Sequence, residues 1–199
     1  MSASLRDHIG AVVRESISVK QRLLEHCVDD IARAGDMLAS CARSNGLIML
    51  CGNGGSAADS QHIAAELVVR LRSDVNRRAI KALALTTDSS VLTAGGNDYG
   101  YDRVFSRQVE AFGTTGDVLV AITTSGTSKN VVAAVEEAHK RGVQTIGLLG
   151  GTGGVLRELC TASVVVPSSV TARIQECHIM IGHIWCEIIE EGITEVRNY

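Results

Sequence analysis

The chain has 199 residues, of which 45% are hydrophobic and 21% charged, and a formal net charge of −3. This length fits one domain, residues 1–199, that folds without needing a disulfide or a metal. An aromatic content of 3%, the lack of a basic stripe and the lack of an apolar run of about 18 residues argue against a nucleic-acid partner and a membrane partner.

The first part of the chain predicts helices. Residues 1–44 contain no proline and two glycines, Gly10 and Gly35, and their apolar residues recur at spacings of three to five. Such spacing is typical of amphipathic helices, so we expect two helices that break near Gly35. Their apolar faces would pack on the body of the domain or on a partner chain.

From Gly46 onward, short apolar runs alternate with longer segments of helical periodicity. The runs predict strands at residues 47–51, 79–85, 117–122, 143–149 and 162–166, and the helical segments are 57–70, 89–94, 103–112, 128–141, 154–159 and 171–196. Several runs are apolar at nearly every position, which is typical of strands buried on both faces. The alternation predicts an α/β fold with an open, doubly wound parallel sheet and helices on both faces.

A glycine-rich turn follows the first predicted strand. It has the sequence Cys51-Gly-Asn-Gly-Gly-Ser56 and lies between a strand and a helix. Glycines allow the backbone to approach a ligand closely, and the free N–H groups and positive dipole end of the next helix attract an anion. The turn therefore predicts a phosphate site, and a tight turn with no ligand is the alternative interpretation.

A second unusual turn follows the strand predicted at 117–122. Residues 123–128, Thr-Thr-Ser-Gly-Thr-Ser, place five hydroxyls around one glycine at the start of a helix. A helix N-cap explains one hydroxyl, that of Thr127 or Ser128. Because ligands of parallel sheets bind at the carboxyl ends of the strands, two such turns favour a phosphorylated ligand. No Walker lysine accompanies them, which favours a phosphorylated metabolite over nucleotide hydrolysis.

Two predicted helices carry side chains that bind metals or move protons. His62 and Glu66 lie four residues apart on one face of the helix after the glycine turn. Gln175 and His183 share one side of the C-terminal helix, with His178 further round. Together these nitrogen and oxygen donors would suit zinc if the helices meet. The alternatives are a solvated His–Glu pair and histidines satisfied within the core.

The cysteines indicate the compartment. There are six, at positions 27, 41, 51, 160, 177 and 186, with no C-x-x-C pair and mostly in apolar context. Free thiols in a reducing cytoplasm explain them better than a disulfide framework. Residues 1–10 carry charges where a signal peptide would be apolar, so we expect a cytoplasmic protein.

The same motifs resemble the sugar isomerase (SIS) domain family and, more narrowly, its phosphoheptose isomerases. The resemblance begins at residues 51–67, CGNGGSAADSQHIAAEL, and continues through LTTD (85–88), GNDYGY (96–101), FSRQV (105–109), TSGTS (124–128) and RIQECH (173–178). These motifs cover essentially the whole domain in order, so the resemblance is specific at the level of the family.

The resemblance implies a five-stranded parallel sheet flanked by helices, with residues 1–45 as an N-terminal helical extension in oligomer contacts and residues 46–199 as the α/β body. It implies a homotetramer whose active sites lie between subunits, with one Zn²⁺ per subunit. Carried over by motif, the metal ligands are His62, Glu66, Gln175 and His183. The substrate-binding residues are Asn53, Gly54, Gly55, Ser56, Glu66, Asn97, Asp98, Thr123, Thr124, Ser125, Ser128 and Gln175.

The implied reaction converts D-sedoheptulose 7-phosphate to D-glycero-D-manno-heptose 7-phosphate. A proton moves between C1 and C2 through a cis-enediol while another moves between the two oxygens. The resemblance makes Glu66 the general base and His183 the general acid, and zinc would polarise the carbonyl. A nitrogen of His183 that binds zinc cannot also donate a proton.

Two positions depart from the pattern of many relatives. The segment 70–79, RLRSDVNRRA, lacks the expected proline, which affects the shape of a surface loop rather than the chemistry. Ala172 stands where some members carry an aspartate. A role given to that aspartate therefore does not transfer to this chain.

Two alternatives come from other functional classes. One is a non-catalytic SIS-domain scaffold of the replication-initiator-associating type, which is a tetrameric binding protein. Such relatives lack the glutamate and the second histidine that Glu66 and His183 provide here. The other is an isomerase of a different phosphorylated sugar, because pocket shape decides among related substrates.

Overall fold

The computed structural model describes residues 3–194, so the predicted end of the last helix at 195–196 lies outside the described residues. A 3₁₀ turn at Tyr101–Arg103 joins the fourth and fifth helices. The elements in chain order are α1 (Ala3–His26), α2 (Val28–Arg43), β1 (Ile48–Gly52), α3 (Gly55–Val68), β2 (Ala82–Ala84), α4 (Ser89–Tyr99), α5 (Val104–Phe112), β3 (Val118–Thr123), α6 (Lys129–Lys140), β4 (Gln144–Gly150), α7 (Leu156–Leu159), β5 (Ala162–Val166) and α8 (Thr171–Thr194).

The five strands form a sheet in the order β2-β1-β3-β4-β5, and all their pairings are parallel. This confirms the predicted α/β fold with an open, five-stranded parallel sheet. From β1 the chain goes to β2 on one side and then crosses to β3 on the other. The strand order therefore reverses between β1 and β3, and in open α/β sheets ligands bind at such a point.

Two hydrophobic layers cover the two faces of the sheet. Successive residues of β1 alternate between them, with Ile48 and Leu50 in one layer and Met49 and Cys51 in the other. The first layer is completed by α1, α2, α3 and α8, and the second by α5, α6 and α7. All residues of β1 and β3 are buried, which explains why their sequences are apolar without alternation.

The helix break predicted near Gly35 is wrong. The structure ends α1 at His26 and begins α2 at Val28, so Gly35 lies inside a helix. A Cβ on Gly35 would lie 2.7 Å from Ile188 Cδ1 and 3.4 Å from Trp185 Cδ1, both on α8. Glycine is needed at this position for close packing of α2 against α8, and the helix continues through it.

Two predicted elements differ from the structure by three or more residues at one end. The strand predicted at 79–85 spans three residues, because β2 is an edge strand that pairs with β1 over Ile48–Leu50 alone. The helix predicted at 89–94 continues to Tyr99. The glycine that ends it is Gly100, whose φ of +83° is a left-handed conformation that favours glycine.

Helix α1 carries an apolar stripe that the other described residues, up to Thr194, leave open. The residues of this α1 stripe follow one another at intervals of four and are 44–51% exposed: Leu5, Ile9, Val13 and Ile17. On another side, Val12 accepts a hydrogen bond at its carbonyl from Arg173 Nη1 of α8 at 3.0 Å. None of the helices within residues 3–194 combines the length and the hydropathy that crossing a membrane requires.

Candidate active site

The two unusual turns adjoin at the point where the strand order reverses. The glycine turn, residues 52–56, follows β1, and the hydroxyl turn, residues 123–128, follows β3. Strands β1 and β3 are paired to their ends, where Gly52 lies opposite Ile122. Both turns therefore lie at the carboxyl edge of the sheet, as predicted, and the pairing of β1 with β3 places one beside the other.

In the glycine turn, Gly52 and Gly55 have no room for a side chain, and Gly54 has a backbone conformation that favours glycine. Gly54 is the N-cap of α3 and has a φ of +54°, and a Cβ on Gly52 would lie 2.9 Å from the Ile122 carbonyl oxygen. A Cβ on Gly55 would overlap the side-chain amide of Gln175. The structure thus places Gln175, from α8, directly over the backbone of the first turn of α3.

A reciprocal pair of amides joins the two turns. Asn53 Nδ2 donates to Asn130 Oδ1 at 2.9 Å, and Asn130 Nδ2 donates back to Asn53 Oδ1 at 2.8 Å. The Tyr101 hydroxyl also donates to Asn53 Oδ1 at 3.4 Å. The sequence analysis missed Asn130 and Tyr101. The available signals were an amide two residues after Ser128 and the tyrosine of the GNDYGY motif.

The hydroxyls of the second turn contact one another. Thr123 Oγ1 lies 3.0 Å from Ser128 Oγ and 3.4 Å from Ser125 Oγ, which also accepts from the Thr127 N–H at 3.3 Å. Ser128 occupies the N-cap position of α6, yet its side chain makes no capping hydrogen bond. The N-cap interpretation is therefore right about the position and wrong about the role of the hydroxyl. Thr124 is half-buried beside this cluster.

The helices that carry the predicted metal ligands meet. His62 Nε2 lies 2.8 Å from His183 Nε2, so one ring can donate a hydrogen bond to the other. The same His62 nitrogen lies 3.4 Å from Glu66 Oε1. The metal prediction required the two helices to meet. The contact between His62 and His183 joins α3 to α8 across 121 positions of sequence, so this requirement is met.

A glycine in α8 allows this meeting. A Cβ on Gly182 would lie 2.5 Å from Ile63 Cδ1 and 2.7 Å from Ile63 Cγ1. Contacts this short do not occur between real side chains, so only glycine lets α8 approach α3 at this level. The neighbouring residues, His183 on α8 and His62 on α3, then reach one another.

His178 is a core residue. It is fully buried, and its Nε2 lies 3.0 Å from the Leu149 carbonyl oxygen, to which it donates. Burial lowers the pKa of His178 to about 4, so the ring is neutral at physiological pH. The core interpretation weighed for the helix histidines applies to His178, while His183 makes the contact with α3.

Three other predicted substrate-binding residues, Asn97, Asp98 and Ser56, differ in their exposure to solvent. Asn97 and Asp98 are exposed in the last turn of α4, where Asn97 Nδ2 donates to Asp98 Oδ1 at 2.7 Å. Ser56 is buried in the first turn of α3. The segment after α4 reaches the glycine turn through Tyr101.

Two pockets, both open to solvent, lie elsewhere in the fold. A polar cavity of about 430 Å³ lies beside β5 and includes His26 and Arg157 in its lining, and an apolar groove of about 400 Å³ lies between α1, α2 and α8. Neither contains a predicted site residue. In the single chain the His62 side chain is 48% exposed and that of Glu66 is 22% exposed.

The donor set at the α3–α8 contact fits zinc in its chemistry. Imidazole nitrogen and carboxylate oxygen are the ligands that Zn²⁺ takes in proteins, and His62 Nε2 is close to both His183 Nε2 and Glu66 Oε1. Within residues 3–194, no group of three or more His, Cys, Asp and Glu side chains is arranged to hold a metal ion. His62, the ligand that both distances share, would have to turn for the three donors to surround one point.

Comparisons with known proteins show which proteins this chain is similar to. Residues 13–150 match the sequence model of the SIS domain. A phosphoheptose isomerase from Nitratiruptor sp. is 52% identical over 186 residues, which are 94% of this chain and 98% of that protein. One from Leptospira biflexa is 50% identical over 93% of this chain and 95% of its own length.

A solved structure extends the similarity to three dimensions. The phosphoheptose isomerase of Neisseria gonorrhoeae superposes with a TM-score of 0.88 at 44% identity, covering 94% of this chain and 99% of that one. The similarity covers nearly the full length of both chains. The chain therefore belongs to the SIS-domain family and, within it, to the phosphoheptose isomerases, which are aldose–ketose isomerases.

Proposed function

We propose that this isomerase converts D-sedoheptulose 7-phosphate to D-glycero-D-manno-heptose 7-phosphate at the carboxyl edge of the sheet. The observation that carries the proposal is the contact between His62 and His183, which brings Glu66 and His183 to the same ring nitrogen. A base and an acid held together beside an anion-binding turn are what an aldose–ketose isomerisation requires.

The phosphate end of the substrate fits the hydroxyl turn. Thr123, Ser125 and Ser128 offer clustered hydroxyls, and the N–H groups of the first turn of α6 point the positive end of that helix at the same place. Hydroxyls and N–H groups that donate to phosphate oxygens need no counter-charge from the protein. The glycine turn would receive the sugar, with Asn53 held in place by Asn130.

Proton transfer would run between Glu66 and His183. Glu66 takes a proton from C1 of the ketose and returns it to C2, while His183 gives a proton to the oxygen on C2 and takes one from the hydroxyl on C1. The cis-enediol lies between these steps, and the atoms of the substrate and product balance. Each group acts within hydrogen-bond reach of the atoms that it serves.

The proposal includes one Zn²⁺ per subunit, held by His62, Glu66, Gln175 and His183. When bound, the ion would stabilise negative charge that develops on the substrate oxygens. The support for His62, Glu66 and His183 is the chemistry of these donors and the short distances from His62 Nε2. Gln175 is assigned by the resemblance alone. The proton that His183 transfers must come from a ring nitrogen that is not bound to the ion.

We also propose a homotetramer with active sites between subunits. Proton transfer to an enediol is favoured where water is excluded, yet in the single chain His62 is about half-exposed. The α1 stripe and the nearby groove, which includes Leu24, Met180 and Ile184, are open apolar surfaces of the kind that subunit contacts cover. A second copy packed on these surfaces would bury them and enclose the site.

A cytoplasmic location is part of the same proposal. All six cysteines are free and buried. Burial raises the pKa of the Cys41 and Cys160 thiols to about 11, which keeps them protonated and unreactive. Buried thiols that are not joined in disulfides are typical of proteins from reducing compartments.

The test is to incubate the purified protein with sedoheptulose 7-phosphate, with and without added zinc, and to follow the product by NMR. We expect the aldose 7-phosphate to appear, and Glu66→Gln and His183→Gln to lower kcat by roughly 10²- to 10⁴-fold. Glu110→Gln is the matched control, because Glu110 is an exposed carboxylate of α5 paired with Arg107. It should retain the activity of the unsubstituted protein.

Two results would contradict the proposal. Absence of turnover by a folded oligomer, in the presence and absence of zinc, would exclude this substrate and direct the assay to other phosphorylated sugars. Turnover that survives both Glu66→Gln and His183→Gln would support the proposed substrate and contradict the proposed acid–base pair.

A further inference from the structure

A buried ion pair lies at the far end of the α3–α8 contact. Arg77 Nε lies 2.9 Å from Glu190 Oε1, and the two side chains are 1% and 0% exposed. Arg77 belongs to the proline-free segment 70–79, and Glu190 belongs to α8. Removing two charges from water is costly unless their hydrogen bonds are satisfied, so this pair needs an explanation.

Arg77 also binds the end of α3. Its Nη2 donates to the Glu66 carbonyl oxygen at 2.7 Å, and its Nη1 donates to the Leu67 carbonyl oxygen at 2.9 Å. These carbonyls lie in the last turn of α3, where no further helical N–H is available to them. The planar guanidinium reaches them and Glu190 at once, which a lysine could not do.

Glu190 connects the same arginine to α8. It lies seven residues after His183, which is close to two full turns, so the two side chains share one face of the helix. Glu190 Oε1 also accepts a hydrogen bond from the Leu71 N–H at 3.1 Å, and Arg72 Nε lies 3.5 Å from Oε2. One carboxylate therefore fastens segment 70–79 to the helix that carries His183.

We propose that Arg77 and Glu190 are positioning residues that set the axial position of α3 against α8, and hence of Glu66 against His183. The connection runs from the Glu66 backbone through Arg77 and Glu190 to α8. The contacts described for the two side chains are with backbone groups, with Arg72 and with one another. Displacement of a reacting group by about 1 Å is enough to slow a reaction strongly.

This inference rests on the proposed roles of Glu66 and His183, and it gives segment 70–79 a function. At the other end of the contact, Gly182 fixes how closely the helices approach, because a Cβ there would meet Ile63. Apolar packing of this kind limits the distance between two helices but resists sliding along their axes less well than directional hydrogen bonds do. Arg77 and Glu190 supply those bonds.

The experiment compares Arg77→Lys and Glu190→Gln with Asp117→Asn. Asp117 is a matched control, because it is also buried and accepts hydrogen bonds from the backbone N–H groups of Leu47 and Thr114, but it lies at the amino end of β3, opposite the proposed site. Steady-state kcat and KM are measured at a temperature at which circular dichroism shows each variant fully folded.

We expect Arg77→Lys and Glu190→Gln to lower kcat at least tenfold with KM changed less than twofold. Asp117→Asn should lose a comparable amount of thermal stability and keep kcat within twofold. Wild-type kcat in folded Arg77→Lys and Glu190→Gln, or an equal loss in Asp117→Asn, would overturn the inference. Glu190→Gln keeps the shape of the side chain and an acceptor oxygen, so it tests the inference even where Arg77→Lys does not fold.

The unsubstituted protein and Glu66→Gln are assayed in the same series. If the unsubstituted protein fails to isomerise sedoheptulose 7-phosphate, or Glu66→Gln keeps its activity, the proposed function fails. If those two results are as expected and the Arg77 and Glu190 variants remain fully active, the positioning role alone fails.

Discussion

At Gly55, the identity of one residue decides whether two helices can share a site. The Gln175 amide occupies the space that a Cβ would fill, over the first turn of α3. From the sequence, the turn that contains Gly55 was predicted to bind an anion, and the family resemblance made Gly55 a substrate-binding residue. The structure adds that this glycine makes room for a side chain from α8, and Gln175 is one of the proposed metal and substrate ligands.

Gly55→Ala should therefore displace Gln175. We expect kcat/KM to fall at least tenfold, and the free energy of unfolding to fall by about 1–3 kcal/mol because the added methyl overpacks the contact. Gly95→Ala is the control, since a Cβ there makes ordinary contact with Val104 at 3.7 Å. Kinetics and urea unfolding check both variants, and unchanged kcat/KM in Gly55→Ala would contradict the role given to Gln175.

His178 predicts a pH dependence of stability. Its pKa is about 4 in the folded protein and 6.5 when unperturbed, so below about pH 6.5 the unfolded chain binds the extra proton. Stability is therefore lost as the pH falls from 6.5 towards 4, by about 2–3 kcal/mol. Asp59 acts in the opposite sense, because burial raises its pKa to about 6 and the folded protein binds a proton there first.

Comparing His178→Gln with the unsubstituted protein separates the effect of His178 on the pH dependence of stability from the effect of Asp59. Urea unfolding at a series of pH values should show that the difference in free energy between the two proteins changes between pH 6.5 and pH 4 and is constant above pH 7. Parallel curves over the whole range would show that His178 titrates normally in the folded protein.

At the scale of elements, the site depends on the close approach of α3 and α8. Three features fix it along the contact: the histidine pair, Gly182 against Ile63, and the Arg77–Glu190 pair. The sequence analysis assigned ligands to both helices and left their meeting as a condition. Gly182 lies inside α8, which shows no break there, so no local signal marks its role. That this glycine allows the two helices to meet follows only from their packing.

A double-mutant cycle tests this packing. Gly182→Ala should destabilise the fold by about 1–3 kcal/mol and lower kcat, because its methyl forces α8 away from Ile63. Ile63→Ala removes the two atoms that the methyl would meet and costs about 2–5 kcal/mol by itself. We expect the double variant to be more stable than the sum of the single changes predicts. Strict additivity in urea unfolding would contradict the contact.

At the scale of the whole molecule, the open apolar surface of α1 predicts association. Val13 lies in the middle of the α1 stripe and is 51% exposed. Val13→Lys should yield a species smaller than the tetramer in light scattering and should lower kcat, because the lysine charge would be buried in a subunit contact. Ala11→Lys, on the opposite side of the same helix, should leave assembly and activity unchanged. A fully active monomer would contradict the shared-site proposal.

The local pattern of the chain was sufficient to predict the class of the fold and the two turns. Short apolar runs between glycine and polar turns are typical of strands buried on both faces, so β1, β3 and β4 were found within one residue of their positions. The break predicted at Gly35 was wrong because the local sequence around a glycine does not show its role. A glycine that ends a helix and one that makes room for Trp185 and Ile188 look the same in the sequence.

The sequence by itself determined an open parallel sheet, a glycine turn, a hydroxyl turn and the residue types available for acid–base chemistry. The tertiary structure alone decided that His62 meets His183, that Gln175 covers Gly55 and that Arg77 joins Glu190. These pairs lie more than a hundred positions apart. Periodicity records only whether a residue is buried, and the identity of its distant partner depends on how whole helices pack.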